Sequence, residues 1–155
     1  MNYDRIYQCD FVNGPGARVV LFVTGCLHKC PGCYNKSTWN PVDGSEFTEQ
    51  TIEKIFSYLD SSYIQGLTLS GGDPMYPSNK PIITDLAKRV KERFPKKDIW
   101  LWTGYKFEEL SADILDFVDV VIDGKYEEKN KTEKPWRGSA NQRLWMKSKL
   151  GWSHD

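Results

Sequence analysis

Residues 18–33 read RVVLFVTGCLHKCPGC. Arg18 to Val23 is a short apolar, β-branched run of the kind that forms a buried strand. A loop containing Gly and Pro follows, and it carries Cys26, Cys30 and Cys33 at C-x3-C-x2-C spacing. A strand that empties into a chemically loaded loop is the unit from which open α/β folds build sites, because ligands there sit at the carboxyl ends of the strands. The unit recurs downstream. Leu67-Thr68-Leu69 runs into Gly71-Gly72-Asp73-Pro74, Ile99–Trp102 into Thr103-Gly104-Tyr105, and Val118–Ile122 into Asp123-Gly124-Lys125.

The segments between these strands have helical periodicity. Over residues 48–60, Ile52, Ile55, Phe56 and Leu59 fall on one face, with Thr48 as N-cap and Phe47 and Ile52 as a hydrophobic staple. Residues 80–93 place Ile83, Leu86, Ala87 and Val90 together and stop before Pro95. A third helix is expected over 107–116, with Leu110, Ile114 and Leu115. Upstream, residues 3–12 read as a ragged first strand and Asn13-Gly14-Pro15-Gly16 as a structural turn. There is no internal repeat. The pattern is βαβαβαβ, which predicts a parallel sheet with right-handed crossovers.

The chain has 155 residues, the length of one domain. A complete eightfold barrel needs about 250. The expected fold class is therefore α/β: a single domain over 1–155 forming an incomplete, open (β/α) barrel with a mainly parallel sheet. Residues 124–155 differ in character, with eight Lys/Arg against four Asp/Glu and with Trp136, Trp145 and Trp152 spread among them. They are expected to form a C-terminal extension, a solvated tail pinned by aromatic anchors. The alternative is a docking surface for a partner.

Lys plus Arg is 21 and Asp plus Glu is 21, a net charge of zero that argues against nucleic acid as a partner. No stretch approaches the roughly 20 apolar residues that span a bilayer. The start, MNYDRIYQCD, lacks the basic and apolar regions of a signal peptide. A soluble, cytoplasmic protein with no membrane partner is expected.

In a reducing compartment three such closely spaced cysteines point to metal or redox chemistry. A [4Fe–4S] cluster held wholly by protein takes four thiolates. Three local ones leave one iron open, and an open position marks a catalytic rather than a structural site. Two other readings use Cys9 as the fourth ligand, in a structural zinc site or in an ordinary electron-transfer cluster. Structural zinc sites usually pair two C-x2-C units, and here there is one. Cys9 itself is expected to be a small buried hydrophobe. His28 is expected to face solvent, because the thiolates fill the local ligand positions. Gly-Gly-Asp-Pro is good turn chemistry, yet on the same rim as the cysteines it becomes a candidate binding loop. Thr103, Gly104, Asp123 and Lys125, at strand ends, are candidate lining residues.

Four stretches carry a family resemblance: VNGPGARVVLFVTGCLHKCPGCYNKSTW (12–39), LTLSGGDP (67–74), DIWLWTGY (98–105) and VVIDGKY (120–126). Together they resemble radical S-adenosylmethionine enzymes. Within that superfamily they resemble the small activases of glycyl-radical enzymes, in particular the activating components of anaerobic (class III) ribonucleoside-triphosphate reductases. The cysteine motif alone would indicate only the superfamily; CPGCYN with NGPG upstream and WTGY downstream narrows it. Many superfamily members have an aromatic residue just before the third cysteine, where this chain has Gly32 and places Tyr34 after it.

The resemblance implies that Cys26, Cys30 and Cys33 bind three irons of a [4Fe–4S] cluster. The fourth iron would be chelated by the amino and carboxylate groups of S-adenosylmethionine. The reduced cluster would then cleave the S–C5′ bond, giving methionine and a 5′-deoxyadenosyl radical. Gly71, Gly72 and Asp73 would hold the methionyl ammonium, and the backbone of Gly32, Cys33 and Tyr34 would line the adenine side. No catalytic residue beyond the cluster is implied. The partners implied are the large reductase subunit, whose glycine loses a hydrogen atom, and a low-potential electron donor of flavodoxin-like kind. The sequence leaves open whether the chain forms a homodimer or a heterotetramer with the reductase. The activase of another glycyl-radical enzyme is the alternative, and a non-enzymatic iron–sulfur or zinc module the more distant one.

Overall fold

A computed structural model describes residues 1–155. In chain order it contains β1 (Asn2–Asp10), β2 (Ala17–Val23), β3 (Ser45–Glu46), α1 (Glu49–Leu59), β4 (Ile64–Gly71) and α2 (Lys80–Arg93). These are followed by β5 (Asp98–Trp102), α3 (Ala112–Phe117), β6 (Val120–Asp123), β7 (Arg143–Ser148) and β8 (Gly151–His154). Short 3-10 turns occupy 36–38, 107–109 and 128–130. All eight strands form one sheet in the order β3-β1-β2-β4-β5-β6-β7-β8.

The four central strands, β2, β4, β5 and β6, are parallel, as the βαβ pattern requires. The flanks are not. β1 runs antiparallel to β2 and β3, and β7 antiparallel to β6 and β8. The sheet is therefore mixed and open, with β3 and β8 at its ends. A short turn such as Asn13–Gly16 can only return the chain antiparallel, since a parallel partner needs a crossover of a dozen or more residues.

Side-chain alternation sorts the sheet into two faces. Val19, Leu21 and Val23 of β2, Leu67 and Leu69 of β4, and Ile99 and Leu101 of β5 pack with the apolar stripes of the helices in one cluster of 21 buried residues. Ile52, Ile55, Phe56 and Leu59 of α1 and Ile83, Leu86, Ala87 and Val90 of α2 supply those stripes. Thr48 caps α1, accepting from Thr51 N while Thr51 Oγ1 accepts from Thr48 N. The opposite face carries no helix. Trp100, Val120 and Ile122 form a small second cluster there, with Trp102, Trp136 and Leu144 against it.

The expected helix over 107–116 is broken into a 3-10 turn and the six-residue α3. Leu110 and Ser111 are extended, with ψ of 142° and 155°. The Phe107 amide donates to Asp123 Oδ2 at 2.7 Å, and the Lys106 amide to Glu109 Oε2 at 2.7 Å. These side-chain acceptors hold the 3-10 turn in place of a continuous helix.

The expected solvated tail is corrected as well. Residues 143–154 extend the sheet, with Val121 paired to Trp145 and Lys147 to Trp152. Trp145 stacks on Phe107 at 4.0 Å between ring centroids. Trp136 packs edge-on against Trp100, and its carbonyl accepts from Trp102 Nε1 at 2.8 Å. Alternation in 143–154 is weak because β7 and β8 bury only part of each side chain. Cys9 is exposed on β1, not buried as expected. No helix is long and apolar enough to cross a membrane.

Candidate metal centre

The three-cysteine loop begins where β2 ends. The Gly25 amide donates to Thr38 O at 2.7 Å and the Cys26 amide to Trp39 O at 3.0 Å. These bonds fasten the neck of a loop that encloses residues 27–37. Inside it, Lys29 and Gly32 have φ of +49° and +74°. Cys33 N donates to Cys30 O at 3.1 Å, and Asn35 N lies 3.4 Å from Cys33 Sγ. Left-handed residues and tight turns let one short segment turn three side chains toward one side.

The Gly-Gly-Asp-Pro loop is built against this neck. Gly72 N donates to Val23 O and Asp73 N to Gly25 O, at 2.9 and 2.7 Å. A Cβ at Gly72 would stand 2.6 Å from the carbonyl oxygens of both Gly25 and Thr38. The two backbones therefore meet only because that position is glycine.

The Asp73 carboxylate is buried and ties three strand-end loops together. Oδ1 accepts from the Met75 amide and the Thr103 hydroxyl at 2.9 and 2.8 Å. Oδ2 accepts from the Gly104 amide at 2.9 Å and lies 2.7 Å from His28 Nε2. The expectation of a solvent-facing His28 is thus corrected: its side chain is only 7% exposed. Its ring meets Tyr105 edge-on and rests on Gly104, where a Cβ would come within 2.3 Å of His28 Cδ2.

These loops border an open cavity of about 140 Å³, lined by Cys26, Cys30, Cys33, Trp39, Gly71–Asp73, Thr103, Gly104, Gly124 and Tyr126 among others. A groove of about 810 Å³ adjoins it on the helix-free side of the sheet, lined by Arg5, Tyr7, Phe22, Ser70, Trp102, Trp136 and Arg137. Cys33 and Tyr126 border both spaces. Tyr34, 78% exposed, borders the groove beside the Tyr126 ring.

The other strand-end candidates divide. Thr103 and Gly104 line the thiol cavity. Asp123 and Lys125 line a separate polar cavity, and Asp123 is engaged by Arg143 and by the Phe107 amide. In the Asn13–Gly16 turn, Asn13 O accepts from Thr68 Oγ1 at 2.6 Å, and a Cβ at Gly14 would strike Arg18 Cδ at 2.7 Å.

Three free thiols, Cys26, Cys30 and Cys33, line one cavity. Cys9 lines neither the cavity nor the groove. Two buried polar atoms of cavity-lining residues, Trp39 Nε1 and the Tyr126 hydroxyl, have no partner in the protein. Such orphans are costly unless a bound group completes them. Burial pushes the Cys26 thiol up to about 11 and raises Cys30 as well. A metal bound by these thiols would release protons, since only thiolates bind.

Trp39, Trp102, Asn35 and Tyr126 line the cavity without having been singled out from sequence. Trp39 and Tyr126 stand at the ends of two of the quoted stretches, NKSTW and DGKY, and that adjacency was the available signal.

A family model described as a 4Fe-4S single cluster domain matches residues 12–145. The chain is 64% identical to the anaerobic ribonucleoside-triphosphate reductase-activating protein of Enterobacteria phage T4, across 100% of both chains. It is 49% identical to the proteins of that name from Escherichia coli (strain K12) and Salmonella typhimurium, in each case across 92% of this chain and 96% of the relative.

Proposed function

This chain belongs to the family of anaerobic ribonucleoside-triphosphate reductase-activating proteins and carries a 4Fe-4S domain, and from that premise we propose that it is the radical S-adenosylmethionine activase that makes the glycyl radical of its reductase. Cys26, Cys30 and Cys33 would hold three irons of the cluster, with the fourth left for S-adenosylmethionine. The observation that carries this assignment is the loop itself: three thiols on one fastened segment, with the remaining cysteine exposed on β1.

When bound, the cluster and S-adenosylmethionine together supply a one-electron reductive cleavage of the sulfonium. The protein's own groups position and shield. The Asp73 carboxylate is taken up by donors of the chain, so its part is to fix the Gly71–Gly72 segment rather than to offer a free charge. The Gly72 carbonyl accepts no hydrogen bond from the protein and borders the cavity. It is the group best placed to accept from the methionyl ammonium. Cys33, at the junction of cavity and groove, and Tyr34, on the groove, would border the adenine, while Gly32 lines neither space and would act through the turn it makes beside Cys33. The groove admits a polypeptide segment, and the open sheet, which we read as an incomplete barrel, leaves room for the reductase to present its glycine. One electron per activation must come from a low-potential donor. Residues 1–155 act as one domain, with 124–155 supplying a wall of the groove.

The test is anaerobic reconstitution with iron and sulfide, followed by reduction with S-adenosylmethionine present. Formation of 5′-deoxyadenosine, and of a glycyl radical when the reductase is added, supports the proposal. A fully loaded protein that yields neither overturns it.

A further inference from the structure

A buried indole N–H without an acceptor is costly and rare in folded proteins. Trp39 carries one, and its side chain borders the cavity shared by the three thiols. An indole N–H only donates, so the missing partner is an acceptor. Trp39 does not border the larger groove, where Tyr34 and Trp136 lie. Trp39 therefore borders the inner space that the thiols share, not the space open to a docking segment.

Two comparisons sharpen this. Trp102 also borders the cavity, but its indole N–H is already bonded to Trp136 O at 2.8 Å. Trp145 Nε1 is likewise unpartnered, but that ring lies between Phe107 and His154, away from the thiols. The backbone fixes Trp39 to the metal loop: its carbonyl accepts from the Cys26 amide, and the neighbouring Thr38 carbonyl accepts from the Gly25 amide. The indole and the first thiol are thus held by the same pair of neck bonds.

Resting on the reading of Cys26, Cys30 and Cys33 as cluster ligands, we propose that the Trp39 indole N–H donates to the sulfur atoms of the bound cluster and raises its reduction potential. Ligation turns the thiols into thiolates and fills the cavity with sulfide, which supplies the acceptors that the protein lacks. A donor to cluster sulfur stabilises the reduced, more negative state, and hydrogen bonds to sulfur are among the determinants of these potentials. Trp39 is on this account a positioning and tuning residue, not a catalytic one.

The test is Trp39→Phe, which keeps an aromatic ring and removes the N–H. Wild-type and variant proteins are reconstituted anaerobically and matched for iron and sulfide content. The midpoint potential is then read by electron paramagnetic resonance without S-adenosylmethionine. The variant is expected to shift the reduction equilibrium about tenfold toward the oxidised cluster, a potential about 59 mV more negative for one electron. An unchanged potential in a fully loaded variant overturns the inference and leaves the cluster assignment standing. A wild-type protein that takes up no cluster overturns both. If Trp39→Phe does not retain a cluster, wild-type protein labelled with nitrogen-15 at the tryptophan indoles answers the question. Its reduced cluster should show a nitrogen coupling in pulsed resonance that persists in Trp102→Phe, and absence of that coupling overturns the inference.

Discussion

His28 Nε2 and Asp73 Oδ2 lie 2.7 Å apart, in a contact from which water is nearly excluded. The contact joins the metal-binding loop after β2 to the glycine loop after β4. The Thr103 hydroxyl and the Gly104 amide bring in the loop after β5 through the same carboxylate. Asp73→Asn replaces one acceptor oxygen with a donor that faces donors. It should destabilise the cluster-free protein by about 1–3 kcal/mol, measured by urea unfolding, and lower iron retention in parallel. His28→Ala should act in the same direction, and the double variant should fall short of the sum because the two share one contact.

Gly104 carries the His28 ring. Gly104→Ala should displace that ring, since a Cβ would stand 2.3 Å from Cδ2. Removal of the obstructed ring should relieve the clash. Adding His28→Ala to Gly104→Ala is therefore expected to cost less stability than it does in the wild-type background. Equal costs in both backgrounds, by urea unfolding, would mean that the ring does not rest on Gly104.

Arg18 is a fully buried cation at the start of β2. It donates to Thr68 Oγ1, Leu67 O and Pro15 O and pairs with Asp98 Oδ1 at 2.7 Å. Burial lowers its pKa and Asp98 opposes that shift, but an arginine stays charged regardless. Arg18→Ala should cost about 3 kcal/mol by loss of packing and stranding of these acceptors. Arg18→Lys should recover less than half of that, because an ammonium cannot reach four acceptors in a planar fork.

The parallel core was legible from sequence, because β2, β4, β5 and β6 are apolar runs that end at Gly-containing loops. Helices α1 and α2 were legible from their single apolar stripes. The antiparallel flanks were not. β1 alternates poorly, with Tyr7, Gln8 and Cys9 all exposed, and β7 and β8 carry too little buried surface to mark them as strands. In the site, cysteine spacing revealed the thiols without the structure. The burial of His28 was hidden, because it depends on an absent Cβ at Gly104, far away in sequence. The local composition of 18–23 likewise concealed that Arg18 is buried, since three of its four partners, Leu67, Thr68 and Asp98, lie far downstream.

Asp155 folds back onto Arg137, a residue of the groove wall, with contacts of 2.9 and 2.6 Å. The guanidinium holds this carboxyl at about 2, against an ordinary value of 3.8. The sign follows from that depression. The clasp stabilises the fold fully above the ordinary value, and its contribution is lost as pH falls through about 4 toward 2. Asp155→Asn should cost up to about 1 kcal/mol at neutral pH, a modest amount because the carboxylate is half exposed. The difference in Tm between wild type and variant should be constant above pH 5 and close below pH 4. A difference that persists at pH 2 would place the effect elsewhere.

The central claim is that the cluster is held by three cysteines, with one iron free for S-adenosylmethionine. Electron–nuclear double resonance on the reduced, reconstituted protein reads that iron directly when the nucleotide carries nitrogen-15 at its amino group. The account predicts a strong nitrogen coupling that appears on binding, in the wild type and equally in Cys9→Ala. A cluster that shows no such coupling with the nucleotide bound, or that shows it only once Cys9 is removed, would contradict the account.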